Sequence, residues 1–160
     1  MSALPAILVD AAVWAGWGIV VGAVAARTPD SRFGADGPIT RVRGWERDGQ
    51  TWVRVGVRRW KHVVPDFGPL FGGTAKRRLG GRSTARLQRL LVETRRAELV
   101  HWAAALPLLV MPTWNPGWLM VVMVVYAFGA NAPCVVIQRH NRARLQRALG
   151  RATSGMGTAR

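Results

Sequence analysis

Acidic residues are scarce in this chain. Eight Asp and Glu face 23 Lys and Arg in 160 residues, for a formal charge of +15. The only cysteine, Cys134, excludes an intramolecular disulfide and offers no metal cluster. There is no internal repeat, no P-loop and no dinucleotide fingerprint. Charge is also missing from long stretches: Leu4 to Ala26 carries only Asp10, and Trp118 to Ile137 carries none.

Those uncharged stretches explain how a chain this basic is also about half apolar (49 %). A single soluble core does not account for both properties, whereas runs of roughly 20 apolar residues are long enough to cross a bilayer. The expected fold is an all-α integral membrane protein, a single membrane domain over 1–160 with about three transmembrane helices, at 4–26, 93–112 and 118–137. The middle span reaches crossing length only if its helix begins near Glu93. A cleavable signal peptide is the competing reading of the first run, since Ala23-Val24-Ala25-Ala26 looks cleavable. No positive charge precedes that run and Asp10 interrupts it, which favours an anchor.

Charge asymmetry orients these spans. Between Arg27 and Glu98 lie 17 Lys or Arg against seven acids, and six Arg without an acid follow Ile137. The Pro112 to Gly117 turn is uncharged. The positive-inside rule therefore predicts a multi-pass cell-membrane protein with its N-terminus outside and its C-terminus cytoplasmic. Residues 28–92 form a cytoplasmic and interfacial segment, and 150–160 a disordered tail. The basic residues flank apolar spans, so anionic membrane lipids are the expected counter-charge and nucleic acid is not.

Within the middle segment, Trp52 to Val64 projects Trp52, Val53, Val57, Trp60 and Val64 to one side of a helix and Arg54, Arg58 and Lys61 to the other. This is the pattern of an amphipathic helix lying in the interface. A strand is the alternative, because Val53, Val55 and Val57 also alternate after an Asp48-Gly49 turn. Gly72-Gly73 followed by Lys76 offers backbone N–H groups and charge to a phosphate, or is a solvated basic turn.

The chemistry concentrates where polar residues enter the apolar spans. At about 100° per residue, Thr94, Glu98 and His101 share one stripe of the second span, with Glu93 at its edge and Arg95 and Arg96 opposite. Glu98 and His101, at i and i+3, suit a general base and its orienting carboxylate, while Arg95 and Arg96 suit phosphate or simple membrane anchoring. A satisfied intramembrane hydrogen bond is the bland reading. A di-iron site would need several more carboxylates and another histidine, so no metal is expected. On the third span Asn131, Cys134, Gln138 and Arg142 follow one side, disturbed by Pro133. Arg139 and Asn141 extend that polar set at the membrane exit. The two sets converge on the cytoplasmic side, which is stronger support for a site than either alone.

In order along the chain, Trp60-Lys61 with Pro65, Gly72-Gly73 with Lys76, Glu93-Thr94-Arg95-Arg96-Ala97-Glu98 through His101-Trp102, and Asn131-x-Pro133-Cys134 leading to Gln138-Arg139-x-Asn141-Arg142-x-Arg144-Leu145 form a series of blocks. They resemble the glycosyl-diaponeurosporenoate acyltransferase family from about Trp45 to Leu145. His140 stands where the family pattern has tyrosine and Ala143 where it has proline, departures expected to bear on the acceptor more than on the reaction.

The resemblance implies esterification of a carotenoid-glycoside or other lipid-linked acceptor with a fatty acyl group. No cofactor is implied beyond acyl-CoA as donor. Its phosphates would meet Arg139, Arg142 and Lys76, His101 oriented by Glu98 would take the acceptor proton, and Asn131 or Gln138 would donate to the oxyanion. Glu93 completes the catalytic set, and Arg95, Arg96, Asn141, Trp60 and Lys61 the binding set. Two other classes stay open, a noncatalytic membrane adaptor and a membrane methyltransferase or reductase. The sequence does not specify an oligomeric state.

Overall fold

A computed structural model describes residues 2–64 and 83–157. The described chain is helical, with no strand among the described residues. Helix α1 (Ala3–Arg27) and helix α5 (Gly117–Gly157) are its long apolar elements, joined through α4 (Thr84–Ala104). Both α1 and α5 are long and apolar enough to cross a membrane. Only 17 % of each apolar window is buried, so neither is the enclosed core helix of a soluble protein. Their outward faces carry Leu4, Leu8, Ile19 and Val24 on α1 and Val121, Val125 and Phe128 on α5.

The 93–112 stretch is not a regular spanning helix. Helix α4 begins earlier, at Thr84 behind Ser83, and ends at Ala104. Pro107 and Pro112 then sit in the first turns of two 3-10 segments, Leu106–Leu109 and Met111–Thr113. Proline cannot donate to the preceding turn and its ring crowds it, and at these two positions the helix gives way to 3-10 turns. The four charges from Glu93 to Glu98 also keep α4 too polar to match α1 and α5. Pro133, by contrast, lies inside a continuous α5.

Long-range contacts fix the helix directions. The Trp17 indole Nε1 donates to the Ala103 carbonyl at 2.8 Å, while Arg96 Nη2 reaches the Thr28 carbonyl at 3.4 Å, so α1 runs antiparallel to α4. Pairing of residues 101 with 131 and 98 with 139 makes α4 antiparallel to α5 as well. At one end Asp10 is buried and tied to the Trp114 indole (2.8 Å) and to both bonds from Asn115 Nδ2 (2.9 and 3.0 Å).

Between α1 and α4 the chain forms a strap. It contains 3-10 turns at Asp30–Phe33 and Gly44–Gly49, then α2 (Gln50–Arg54) and α3 (Val57–Trp60). The 52–64 segment is therefore helical but not the single amphipathic helix anticipated. Gly56, at φ +74°, breaks it into two short pieces that pack on α5. At the other end of the chain the helix continues through Gly157, where a disordered tail from 150 was expected.

Gly49, at φ +87°, marks where the strap meets α5. A Cβ there would lie 3.2 Å from the Ala143 Cβ, and His140 Nδ1 donates to the Gly49 carbonyl at 3.3 Å. His140 and Ala143, the two departures from the family pattern, are thus buried packing positions against the strap.

Candidate active site between α4 and α5

Glu98, His101, Asn131, Arg139 and Arg142 come together where α4 packs on α5. They form two sets. In the first, His101 Nδ1 lies 3.0 Å from Asn131 Oδ1, and Asn131 Nδ2 donates to the Ala127 carbonyl one turn back on α5 at 2.9 Å. An amide oxygen only accepts, so in this pairing His101 Nδ1 is the donor. Both residues are half-buried.

The second set is a closed group of charges. Arg139 Nη1 donates to Glu98 Oε1 at 2.6 Å, its Nε donates to Glu46 Oε2 at 3.1 Å, and its Nη2 makes a short ion pair with Glu46 Oε1. Its remaining bonds go to the Ile39 (2.9 Å) and Arg41 (2.8 Å) carbonyls of the strap. Arg142 Nη2 makes a short ion pair with Glu98 Oε2, and the Trp102 indole approaches Glu98 Oε1 at 3.4 Å. Glu46 also accepts from the Arg43 backbone N–H (2.8 Å) and the Trp52 indole (2.9 Å).

Glu46, Glu98 and Arg142 have no exposed side-chain surface. Two carboxylates and two guanidiniums balance one another, the condition for burying such groups at all. Burial by itself would raise the Glu46 carboxyl. The Arg139 guanidinium, the Arg43 N–H and the Trp52 indole outweigh it and hold the group below the usual carboxylate range.

This geometry reassigns several expected roles. The orienting partner given to His101 is Asn131, while both Glu98 oxygens are engaged by Arg139 and Arg142. The amide of Asn131 is committed at both ends, to His101 and to Ala127. Arg95 donates through Nε to Asp36 at 2.6 Å and through Nη1 to the Phe33 and Gly34 carbonyls at 3.1 Å each. Arg96 is paired with Glu93 at 2.8 Å and, by a shorter bond, with Asp30, and lies over the Phe33 ring at 5.0 Å. Arg95, Arg96 and Glu93 therefore fasten the strap to α4.

Gln138 is buried, with its Oε1 unpartnered among the described residues. Asn141 and Lys61 are half-buried, and the Trp60 indole is turned to the Val55 carbonyl at 3.1 Å. Lys76 and the Gly72-Gly73 pair lie outside the described residues. No three His, Cys, Asp or Glu side chains converge as a metal site among the described residues.

Sequence reasoning missed Glu46, Trp52, Asp36 and Gln146, whose Nε2 donates to Asp36 at 2.8 Å. Glu46 sits in an irregular turn, where no periodicity marks it. Its signal was the scarcity of acids: with 23 cations to eight acids, every carboxylate is a candidate partner for a buried arginine.

Comparison with known proteins agrees with the blocks on which this site is built. The family model for glycosyl-4,4'-diaponeurosporenoate acyltransferase (CrtO) matches residues 36–151, from Asp36 of the strap through the whole of the Arg139 and Arg142 region. Similar curated proteins include the glycosyl-4,4'-diaponeurosporenoate acyltransferases of Staphylococcus haemolyticus and Staphylococcus aureus. The first is 29 % identical over 141 residues, covering 87 % of this chain and 82 % of that protein. The second, from strain USA300, is 33 % identical over 125 residues, covering 77 % and 75 %. No solved structure matches the chain significantly. With the matched region enclosing both the His101–Asn131 pair and the ion cluster, this chain belongs to the glycosyl-4,4'-diaponeurosporenoate acyltransferase family of enzymes.

Proposed function

We propose that this protein is a membrane-embedded acyltransferase that moves a fatty acyl group from acyl-CoA to a hydroxyl of a carotenoid glycoside or related glycosylated lipid. The observation that carries the site assignment is the 3.0 Å pair between His101 Nδ1 and Asn131 Oδ1. In this reading His101 is the base, through Nε2, and Asn131 is a positioning residue. The acceptor O–H passes its proton to Nε2 as its oxygen attacks the thioester carbonyl carbon. The C–O bond forms, the C–S bond breaks, and the proton returns to the departing thiolate. No serine or cysteine is needed as an intermediate nucleophile. The Glu46, Glu98, Arg139 and Arg142 cluster holds α4, α5 and the strap in register around that pair.

The apolar outward faces of α1 and α5 support a bilayer as their solvent, since an aqueous protein rarely exposes patches of this kind. The excess of Lys and Arg between the spans and after α5 supports a cytoplasmic site with the N-terminus outside. Exposed Arg54, Arg58, Arg59, Arg144 and Arg151 then face anionic headgroups. Lipid mass spectrometry of cells with and without the protein tests the reading. A glycolipid heavier by one fatty acyl group is expected only with the protein. Its presence with His101→Ala would remove the base assignment, and its absence with the unaltered protein would remove the function.

A further inference from the structure

Between the bond from Trp17 to Ala103 and the bond from Arg96 to Thr28, α1 and α4 do not close on one another. They leave a groove of about 280 Å³ lined by Trp17, Val20, Val24, Leu99, Val100 and Ala103. Its side is open, since Val20 and Val24 are 49 % and 61 % exposed. The α1 residues that line it belong to the half of the helix nearer Arg27, which is the cytoplasmic half in the proposed topology. An apolar groove open sideways at that depth faces lipid tails, and a chain lying in it supplies contacts that the two walls do not give each other.

Charge gathers only at the mouth, beyond the last apolar turn of α1. Phe33 and Arg96 mark that end, and the charge of Arg96 is already met by Glu93 and Asp30. Arg27 and Arg32 differ: both are exposed, and neither pairs with a described carboxylate. Arg27 ends α1 about one turn beyond Val24. Arg32 borders a cavity of about 200 Å³ under the strap that shares Phe33 and Leu99 with the groove, so its charge stands at the same mouth. Apolar walls below and two cations above match the two ends of an anionic phospholipid. The acyl donor of the transfer reaction is not the fit, because His101 is turned to Asn131 on the other side of α4.

We infer that the α1–α4 groove binds one acyl chain of an anionic phospholipid of the inner leaflet, with the headgroup held by Arg27 and Arg32. The inference rests on the bilayer placement of α1 in the proposed function and not on the transfer chemistry. Enclosure separates this site from ordinary bilayer contact, since Leu99, Val100 and Ala103 wall one side of the chain and Trp17 and Val20 the other. The lipid then completes the packing of α1 against α4.

The test uses the full-length protein in nanodiscs of phosphatidylcholine and phosphatidylglycerol, with phosphatidylglycerol bearing a diazirine in its acyl chain as probe and peptide mapping as readout. Cross-links are expected on residues 17–25 and 99–103, competed by unlabelled phosphatidylglycerol and not by phosphatidylcholine. Labelling spread evenly over the outward faces of α1 and α5, or competed equally by both lipids, would overturn the site. Arg27→Gln and Arg32→Gln are each expected to lower the competed labelling about fivefold, the effect of one charge at the membrane surface. Unchanged labelling in the double variant would overturn the headgroup assignment. Ala103→Leu extends a side chain into the groove and is expected to displace the chain with both arginines intact; undiminished labelling there would overturn the chain's position. Competition by palmitate as strong as by phosphatidylglycerol would make the occupant a free fatty acid and overturn the phospholipid. Protein recovered outside the nanodiscs would remove the bilayer reading itself, whereas incorporated protein with unselective labelling removes only the lipid site.

Discussion

The ion cluster and the His101–Asn131 pair sit about one helical turn apart on α4, yet they are built in opposite ways. The cluster is balanced in charge, two carboxylates against two guanidiniums with three of the four side chains wholly buried, and Arg142 Nε and Nη1 have no partner among the described residues. The pair is sparse: one imidazole and one amide, half-buried, with the amide held back on its own helix. Charges locked to one another are poor reagents and good fasteners. An imidazole positioned by an amide is a common arrangement for a base. In the proposed function the cluster shapes the site and the pair reacts.

The largest expected effect falls on the pair. His101→Ala is expected to lower acyl transfer by about 10²- to 10⁴-fold, the usual contribution of a positioned base, while the thermal midpoint in detergent stays near that of the unaltered protein. A collapse of the midpoint would break the comparison, since His101 would then be a structural group like its neighbours.

Glu98→Ala is expected to do the reverse. It leaves Arg139 and Arg142 without one counter-charge, and breaking a buried pair costs about 3–5 kcal/mol. Thermal unfolding and extractable yield should both fall. A folded Glu98→Ala protein with a normal midpoint and no turnover would return Glu98 to the chemistry.

Acid acts on the cluster through Glu46. The Glu46 carboxyl is held below its usual range, so its stabilisation is complete above the ordinary carboxylate pKa and is lost as pH falls through the lower folded value. The Glu46 contribution to the thermal midpoint is expected to be constant from neutrality to about pH 5 and to be lost below it. Glu46→Gln should lower the midpoint at neutral pH and flatten the acid limb. An unchanged acid limb would detach Glu46 from this role.

Smaller effects sharpen the contrast. Asn131→Ala removes the hydrogen bond to His101, about 1 kcal/mol, enough to slow transfer about fivefold if the bond aligns the base. Asn131→Asp keeps the acceptor and should recover part of the rate, which a merely structural amide would not. Gly49→Ala, at φ +87° and close against Ala143, should destabilise the strap by about 1 kcal/mol with turnover per folded molecule unchanged.

Much of the architecture was legible in the sequence, for identifiable reasons. Apolar runs around Asp10 and from Trp118 to Ile137 announced α1 and α5, and helical spacing placed Glu98 and His101 on one face of α4 with Arg95 and Arg96 on another. What spacing could not convey was pairing across distance. Glu98 and His101 were read as partners because they are neighbours in sequence, whereas their partners come from α5, 44 and 30 residues away. Arg95 and Arg96 looked available to a ligand because the acids that claim them, Asp36 and Asp30, lie in an irregular segment with no pattern. The apolar stretch to Met111 looked like a third span because composition hides what Pro107 and Pro112 do to a helix.

The reach of the ion cluster along the chain bears on how the molecule is made. Glu46 and Glu98 leave the ribosome long before Arg139, from which they are separated by 93 and 41 residues. Until α5 emerges, two acids destined for burial have no counter-charge, so the strap and α4 cannot settle in their final places. Translation therefore finishes this protein rather than merely lengthening it, and a chain cut short of Arg139 would lack the charges that close its interior.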